Sequence, residues 1–563
     1  MAGAADVTGS WQSPDAAQTA NRFDLIIIGA GINGAGIARD ATLRGLRVLV
    51  LDKGDVASGT TSWSTRLIHG GLRYLEHHEI GLVRESLRER ERLLQIAPHL
   101  VRPLPLLFPI YQGDQRGRLL IRTGMLAYDL LSRGKSLPGH RMLDRAAALG
   151  RAPGLAGSGL LGAALFHDAQ VEYAERLALE NVLDARAHGA EIRTYHEVDE
   201  VLHGDGRGLD VSGHDVLTGD PFDYAAPVVI NVAGPRVNEV LSRRSGDHQP
   251  PLIGGSKGSH IIVNPFPGAP RDALYAEARQ DGRPFFIIPW NDLYLIGTTD
   301  TRYDGDLENV MAEDWEIDLL IAETNRVIPT ANLTRESVRY TYAGVRPLPH
   351  APGVSEGSIT RRHIIHDHEL EASGGTRGMI SIVGGKLTTY RELAEQCVDL
   401  VLSKLGRSAI RSRTAELPLP GGRTDLAWDD FAAGFARASG LRRRTVEHLL
   451  RVYGARAPEV LATASTPDLR EVFDPLTGAI GAEVPWAFHE EGARTLVDVI
   501  ARRTMTGLGP DAGIGADIVA ARIARDTLGW DAAKADAEVD AYRRWVSRYR
   551  PRALDLQQIT IDA

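Results

Sequence analysis

The segment FDLIIIGAGINGAGIARDATLRGLRVLVLD, residues 23–52, contains the pattern that decides the fold. Its apolar run at residues 23–28 leads directly into glycine, which predicts a buried strand of a parallel sheet. A helix is expected from about residue 33 to residue 44, and a second apolar strand at residues 48–51 is closed by Asp52. The segment therefore predicts the strand, helix, strand unit of a Rossmann-like α/β fold.

Three glycines of this segment, Gly29, Gly31 and Gly34, have the spacing G-x-G-x-x-G. Such glycines permit a tight turn and a close approach of a pyrophosphate to the backbone N–H groups at a helix N-terminus. Asp52 is placed to accept hydrogen bonds from the adenosine ribose hydroxyls, and its charge would repel a 2′-phosphate. The alternative is a glycine-rich turn in an unrelated α/β protein. The combination of strands, helix and acid favours a dinucleotide site.

Further strands of the same sheet are expected far along the chain. Residues 228–235 and residues 379–385 are apolar runs that also lead into glycine. Between them, the runs at 285–290 and 293–297 flank the dipeptide Asn291-Asp292, which predicts a hairpin. We therefore expect an antiparallel-sheet domain inserted into the nucleotide-binding domain.

The sequence changes again at about residue 417, where prolines and glycines mark a linker before helix-like patterns. These patterns predict an α-helical C-terminal cap domain. The predicted organisation is a polar tail at residues 1–22, a nucleotide-binding domain at 23–415, and a helical domain at 416–563. The substrate-binding part is expected at roughly residues 100–165 and 240–350, interleaved with the nucleotide-binding domain.

The glycine fingerprint alone does not distinguish NAD from FAD, but two later segments favour FAD. The strand at residues 228–235, which contains Gly234, resembles the strand behind the nucleotide in flavoproteins of the two-dinucleotide-binding type. The segment 384–390 follows a late strand and opens a helix. The N-terminus of this helix could face the flavin N1 and C2 carbonyl, where negative charge accumulates when the flavin is reduced. The alternative for the second segment is a plain turn between a strand and a helix.

The composition restricts the class of protein. A formal charge of -9 argues against a general nucleic-acid binder, and a single cysteine, Cys397, suits a reducing compartment. The N-terminus has no basic and apolar signal pattern, and no apolar run is long enough to span a bilayer. We therefore expect a cytoplasmic protein whose membrane contact, if any, is peripheral.

Six segments stand out along the chain, at residues 28–36, 67–75, 257–260, 296–300, 342–347 and 384–391. Together they resemble the flavin-dependent glycerol-3-phosphate dehydrogenases over most of the chain. The resemblance implies a bound FAD and the oxidation of sn-glycerol 3-phosphate to dihydroxyacetone phosphate, with electrons passed to a membrane quinone at the inner face of the cell membrane. The alternative within the same fold is a glycerol-3-phosphate oxidase that releases hydrogen peroxide. The sequence does not decide whether the protein forms a homodimer.

Within these segments, or next to them, lie the cations that a phosphate dianion requires. Bidentate arginines supported by a lysine are the preferred partners of such a group, and Tyr74 and Thr298 could add hydroxyl hydrogen bonds. The expected cationic residues are Arg73, Arg346, Arg361 and Lys386. The expected cofactor contacts are Gly29, Gly31, Gly34, Asp52, Ser62, Gly234, Gly385, Leu387 and Thr388.

The reaction also needs a base for the substrate hydroxyl, and histidine has the appropriate pKa near neutral pH. His69 and His260 are the histidines inside the matching segments, and the sequence does not decide between them. Arg346 and Lys386 are expected to stabilise the developing alkoxide. The chain shows no residues at metal-ligand spacing and no nucleophile elbow, so no metal is expected.

The segment RGRLLIRTGMLAYDLLSRGK, residues 116–135, is a basic amphipathic sequence in an acidic protein. A helix of this kind can lie among lipid headgroups with its cations near anionic lipid. The preceding apolar run at residues 103–110 could deepen that contact or line a quinone entry path. The alternative is an ordinary helix packed on the protein body. We expect an anionic membrane surface as a partner.

Overall fold

The computed structural model describes residues 21–561, apart from residues 77, 133, 205–207, 244–249, 280–281 and 372–374. Most of the predicted polar tail, residues 1–20, therefore lies outside the described residues. The strands in chain order are β1 (Leu25–Ile28), β2 (Val48–Asp52), β3 (Leu67–Ile68), β4 (Val101–Tyr111), β5 (Arg141–Leu143), β6 (Leu160–Val171), β7 (Glu191–Thr194), β8 (His196–His203), β9 (Leu209–Asp215), β10 (Pro221–Ala226), β11 (Val228–Asn231), β12 (Ile253–Val263), β13 (Ala273–Glu277), β14 (Pro284–Trp290), β15 (Leu293–Gly297), β16 (Thr301–Arg302), β17 (Val338–Pro349), β18 (Ile364–Asp367), β19 (Met379–Val383), β20 (Val472–Asp474) and β21 (Ala479–Ile480).

The helices alternate with the strands in the first part of the chain and dominate the last part. They are α1 (Ile32–Leu43), α2 (Ile80–Ile96), α3 (Arg118–Leu131), α4 (Arg145–Arg151), α5 (Ala174–Ala187), α6 (Val237–Ser242), α7 (Asp314–Val327), α8 (Tyr390–Lys404), α9 (Trp428–Ser439), α10 (Arg443–Tyr453), α11 (Ala457–Ala462), α12 (Pro467–Arg470), α13 (Glu483–His489), α14 (Leu496–Asp498), α15 (Ala516–Leu528), α16 (Ala532–Ser547) and α17 (Arg552–Ile561).

The first sheet has the strand order β18-β19-β11-β1-β2-β7. Strands β19, β11, β1, β2 and β7 are parallel, and β18 adds an antiparallel edge. Strands β1 and β11 consist wholly of buried residues, as expected for parallel strands covered on both faces. Helix α1 packs between α5 and α8 on one face of this sheet. The predicted Rossmann-like sheet, assembled from distant parts of the chain, is confirmed.

The second sheet has the order β16-β12-β15-β14-β13-β4-β6-β3, with β17 paired to β12 and β5 paired to β6. The predicted hairpin is present as β14 and β15, whose pairing is antiparallel. Apart from the parallel pair of β4 and β13, the pairings are antiparallel. The inserted antiparallel-sheet domain that the sequence predicts is therefore present, and it also includes the short early strand β3.

The apolar run at residues 103–110 has a different role from the one expected at a membrane. It lies within β4, where Leu107, Phe108 and Ile110 are buried between the neighbouring strands β6 and β13. The expectation that this run deepens a lipid contact or lines a quinone path is wrong, because sheet pairing and core packing already cover it.

The C-terminal part is mainly helical from α9 onward, as predicted, with the short antiparallel pair of β20 and β21 between helices. Buried ion pairs fix it to the rest of the molecule. Arg176 on α5 makes a bidentate pair with Glu491, at 2.6 and 2.8 Å. Asp55, which follows β2, is held by Arg502 at 2.6 Å and by Arg503 at 2.7 Å. Within the described residues, no helix is both long enough and apolar enough to cross a membrane.

Candidate active site

A cavity of about 1070 Å3 extends between the two sheets and the helical domain. Its walls include Gly29 and Asp52 at the carboxyl ends of β1 and β2, His260 on β12, and Trp545 on α16. The crevice outside the carboxyl ends of parallel strands is where ligands bind in open α/β sheets. The cavity is therefore both large enough for a dinucleotide and in the expected place.

The three glycines of the fingerprint have separate physical roles. Gly29 has φ of +117°, and a Cβ there would lie 2.6 Å from the carbonyl oxygen of Val232. A Cβ on Gly34 would lie 1.9 Å from the carbonyl oxygen of Gly29, so this glycine permits α1 to pack closely on the turn and does not line the cavity. Gly31 lines the cavity, and its nearest neighbour would be the hydroxyl of Thr61 at 3.4 Å. A side chain at Gly31 would therefore enter the ligand space.

Asp52 lies at the end of β2 and holds the same turn in place. Its carboxylate accepts hydrogen bonds from the backbone N–H groups of Ala30 at 2.6 Å and Gly54 at 2.8 Å. Burial raises the pKa of Asp52 above its ordinary value, although both hydrogen bonds oppose this effect. Each oxygen keeps a second lone pair, so the predicted contact with the ribose hydroxyls stays a prediction.

Of the other expected cofactor residues, four line the cavity and Ser62 does not. Gly234, with φ of +61°, lies on the cavity wall together with Gly385 and Leu387. Thr388 also lines the cavity, and its hydroxyl accepts a hydrogen bond from the backbone N–H of His69 at 3.2 Å. Ser62 is buried and donates to the carbonyl of Ala57 at 2.6 Å, so the expectation that Ser62 faces the cofactor is wrong.

The turn after β19 brings residues 384–389 against the start of α1. A Cβ on Gly385 would lie 2.6 Å from the side-chain nitrogen of Asn33, so only glycine allows this approach. Helix α8 begins at Tyr390, with Thr389 at the N-cap position. The predicted strand, glycine turn and helix are therefore present, and the turn lies on the cavity wall.

A cluster of arginines is organised around a carboxylate that the sequence analysis did not single out. Arg346 donates to Asp300 Oδ1 at 3.1 Å and to the hydroxyl of Thr298 at 3.0 Å. Arg361 donates to the other oxygen of Asp300 at 3.1 Å, and Arg283 donates to its backbone carbonyl at 2.6 Å. Burial opposes ionisation of Asp300, but the charges of Arg346 and Arg361 outweigh it and hold the pKa of Asp300 below its ordinary value.

Lys386 and Tyr74 form the neighbouring part of the wall. The ammonium nitrogen of Lys386 lies 4.6 Å from the centre of the Tyr74 ring and donates to the hydroxyl of Ser86 at 2.5 Å. Burial lowers the pKa of Lys386 to about 8. Arg73, from the same short helical turn as Tyr74, lines the cavity as well. The cationic residues predicted from the sequence are thus brought to one cavity.

The two candidate histidines have different surroundings. His260 is 1% exposed, and its Nε2 is hydrogen-bonded to the hydroxyl of Thr65 at 3.0 Å. His69 is half-buried on the cavity wall, and within the described part of the chain its ring has no hydrogen-bond partner. Burial lowers the pKa of His69 to about 4, against the opposing charge of Asp168, and burial also holds the pKa of His260 well below its ordinary value. Both rings are therefore neutral near pH 7.

The loop that carries His69 is supported by a network that the sequence analysis missed. The backbone N–H of Gly70 donates to the hydroxyl of Tyr128 on α3 at 2.9 Å. That hydroxyl is hydrogen-bonded to Asp168 at 2.8 Å, and Arg90 pairs with the same carboxylate at 2.6 Å. No local pattern could have revealed this network, because its members come from four separate elements.

Comparison with known proteins identifies the family. Residues 24–391 match the FAD dependent oxidoreductase family, and residues 412–535 match the C-terminal domain of alpha-glycerophosphate oxidase. A glycerol-3-phosphate dehydrogenase from Synechocystis sp. is 48% identical over 542 residues, which cover 93% of this chain and 96% of that protein. The chain belongs to the FAD-dependent glycerol-3-phosphate dehydrogenase family.

One further relative is named for a different substrate, and a solved structure is named for the same one. A D-erythritol 1-phosphate dehydrogenase from Brucella abortus is 37% identical, over 85% of this chain and 94% of that protein. Among solved structures, a glycerol-3-phosphate dehydrogenase from Bacillus halodurans complexed with FAD superposes with a TM-score of 0.74 at 27% identity. That superposition covers 95% of this chain and 96% of the other chain.

This family member is an FAD-dependent enzyme, and its cavity fits the cofactor. The open space at Gly31 and the tight turn at Gly29 provide a place for a pyrophosphate at the start of α1. Asp52, Gly234 and the turn containing Gly385 line the same continuous cavity as the arginine cluster. The fold class, the family resemblance and the FAD predicted from the sequence are confirmed.

Proposed function

We propose that this enzyme oxidises sn-glycerol 3-phosphate to dihydroxyacetone phosphate and passes the electrons to a membrane quinone at the inner face of the cell membrane. The supporting observation is that Arg73, Arg346, Arg361 and Lys386 converge on the cavity that also carries the glycine fingerprint. A phosphate carries close to two negative charges near neutral pH, and forked arginines with a lysine match its geometry.

The arginines act with Asp300 in this proposal. Asp300 holds Arg346 and Arg361 in fixed orientations before substrate arrives, so less side-chain entropy is lost on binding. Its charge also compensates part of the repulsion between the guanidinium groups. The cluster therefore keeps a net positive charge for the phosphate, and the cations are already in place.

The proton transfer is assigned to His69. Bound FAD supplies the acceptor for the hydride that leaves the carbinol carbon. The hydroxyl proton passes to a ring nitrogen of His69, which is neutral and faces the cavity. Lys386, a cation below about pH 8, stabilises the negative charge that develops on the same oxygen. His260 is held by Thr65 and orients the wall behind the substrate.

The activity is tested by mixing the oxidised holoenzyme anaerobically with glycerol 3-phosphate. Bleaching of the flavin absorbance with formation of one dihydroxyacetone phosphate per flavin is the expected result. D-erythritol 1-phosphate serves as the matched substrate, and faster bleaching by it would reassign the enzyme to the longer polyol phosphate. Rapid peroxide formation in air without any quinone would instead support the oxidase alternative.

The proposed membrane contact rests on the outer face of α3. Leu119, Leu120, Leu126 and Leu130 are all more than half exposed there. Arg118 and Arg122 are exposed on the same helix. A helix with outward leucines and cations suits the headgroup region of an anionic bilayer, where each cation contributes about 1 kcal/mol. A lipid-soluble acceptor and a water-soluble substrate would meet at such a surface.

Two basic residues of the predicted segment do not belong to this surface. Arg116 precedes the helix and is paired with Glu76 and Glu277, and Lys135 is paired with Asp129 at 2.5 Å. The expectation that Arg116 and Lys135 face lipid is therefore wrong, because Glu76 and Glu277 pair with Arg116, and Asp129, on α3 itself, pairs with Lys135.

The membrane proposal is tested with the double variant Arg118→Glu and Arg122→Glu. We expect loss of binding to anionic liposomes and of quinone reduction, with unchanged anaerobic flavin reduction. Arg522→Glu with Arg525→Glu is the matched control, because these exposed arginines on α15 make the same change of charge elsewhere. Equal liposome binding by both double variants would remove α3 from the proposal.

A further inference from the structure

Two imidazoles and a carboxylate meet where β18 ends, outside the walls of the substrate cavity. The nitrogen and oxygen atoms that His366, His368 and Glu371 can offer to a metal lie within 4.8 Å of one another. Glu371 Oε1 lies 3.0 Å from His366 Nε2 and 2.6 Å from His368 Nδ1. One carboxylate oxygen therefore faces a nitrogen of each ring.

The local chain geometry explains this convergence. His366 lies in β18 and His368 lies two residues later, the spacing that places side chains on one side of an extended chain. A short 3-10 turn at His368–Leu370 then returns the chain, and the N–H of Glu371 donates to the carbonyl of His368 at 3.3 Å. The spacing of these residues in the sequence does not by itself indicate a metal site, because Glu371 reaches the histidines only through this turn.

The cluster is anchored to the elements around it. Lys404 on α8 pairs with Asp367 at 2.7 Å and with Glu369 at 2.8 Å, so the two acids between the ligands are held by this lysine. His368 is buried, and its Nε2 is hydrogen-bonded to the hydroxyl of Ser381 on β19 at 2.7 Å. A histidine that binds a metal through one nitrogen characteristically has its other nitrogen held by such a partner.

We propose that His366, His368 and Glu371 bind a divalent transition-metal ion, with zinc as the preferred ion. Two imidazoles and one carboxylate are a common ligand set for zinc, which leaves a fourth position for water. The side chain of His366 is 31% exposed, so that position is open to solvent. Zinc–ligand distances of about 2.0 to 2.2 Å in a tetrahedron place the ligand atoms roughly 3.3 to 3.5 Å apart.

The two nitrogen–oxygen distances of 3.0 and 2.6 Å would open by less than about 1 Å to reach that spacing, and the two imidazole nitrogens, which lie within 4.8 Å of each other, would adjust to it as well. The ion would take the place of the hydrogen bonds between the rings and Glu371. A neutral His368 bound through Nδ1 would carry its single ring proton on Nε2, which would donate to Ser381. The bound ion cross-links β18 to the chain that follows it. Since β18 begins three residues after Arg361, the ion would stiffen the edge strand that follows this arginine in the chain.

The test uses the full-length, FAD-loaded protein after treatment with a chelator. Equilibrium dialysis against zinc, with metal analysis, is expected to show one ion more per wild-type chain than per chain of His366→Ala or Glu371→Gln. Zinc should also raise the melting temperature of the wild type and not that of either variant. Both variants should keep their flavin content, because the cluster lies outside the walls of the cavity.

His214→Ala is the matched control, because His214 is an exposed histidine paired with Asp199 at 2.7 Å in another part of the molecule. Cobalt provides a second probe, since a tetrahedral site gives a visible absorption band at longer wavelength than the oxidised flavin. We expect the cobalt band in the wild type and in His214→Ala, and its loss in the two cluster variants. Equal zinc content in wild type and cluster variants, with no cobalt band, would show a hydrogen-bonded cluster without a metal and overturn the proposal.

Discussion

Replacing Arg346 by alanine is expected to abolish most activity toward glycerol 3-phosphate. The Arg346 side chain, 27% exposed on the cavity wall, bridges the largely buried carboxylate of Asp300 at 3.1 Å and Thr298 at 3.0 Å. Truncating one partner of a desolvated charge pair costs about 2 to 5 kcal/mol, which at about 1.36 kcal/mol per power of ten is a roughly 30-fold to 5,000-fold loss of kcat/KM. Arg361 keeps one contact with Asp300, so the fold should tolerate the change.

The assay is anaerobic stopped-flow reduction of the flavin over a range of substrate concentrations. Arg346→Lys should recover only part of the rate, because a single ammonium cannot reach Asp300 and Thr298 as a fork does. Adding Asp300→Asn to the alanine variant removes the negative charge of Asp300, which Arg346 no longer pairs with in that variant. This double variant should regain thermal stability and remain slow, which separates a structural effect from a loss of substrate contact.

Near-normal kcat/KM in Arg346→Ala would refute the reasoning, because the cavity would then hold the phosphate without this guanidinium. Full recovery of activity in the double variant would also contradict it. In that case Arg346 would serve only to neutralise Asp300.

The remaining predictions concern the base, the lysine and the cofactor turn. His69→Gln should slow flavin reduction at saturating substrate by about two to four powers of ten, and His260→Gln by less than tenfold. The reverse order would reassign the base. For the wild type, kcat/KM should fall as the pH rises above about 8, because Lys386 loses its charge there. Lys386→Arg should move this fall in kcat/KM to higher pH. A fall at the same pH in both proteins would exclude Lys386 as its origin. Gly31→Val should purify without flavin absorbance, because its side chain enters the cavity; a yellow variant would contradict this placement.

The features that the sequence predicted well are those set by short-range physics. The run of apolar residues before Gly29, the glycine spacing and Asp52 lie within one strand, helix, strand unit, so local pattern contains the whole signal. The hairpin around Asn291-Asp292 is likewise defined by a few adjacent residues, both with positive φ. The family resemblance then supplied FAD and the set of cations, but not the partners of those cations.

The features that the sequence could not predict depend on elements far apart in the chain. Periodicity shows that a segment has an apolar face but not what covers that face. For this reason the sequence suggested a lipid contact for residues 103–110, which in the structure belong to a core strand. The same limit applies to Arg116, which pairs with acids 40 and 161 residues away.

The sequence by itself determined the nucleotide fold and the kinds of side chain at the site, because glycine geometry and hydrophobic period act between near neighbours. Only the tertiary structure decided which groups meet, since β17 brings Arg346 to Asp300 and α3 brings Tyr128 to the loop of His69. Glu371 reaches the two histidines through a local turn, but the bond between His368 and Ser381 depends on the pairing of β18 with β19. Long-range strand pairing and burial select these contacts, and neither is encoded in any short stretch of residues.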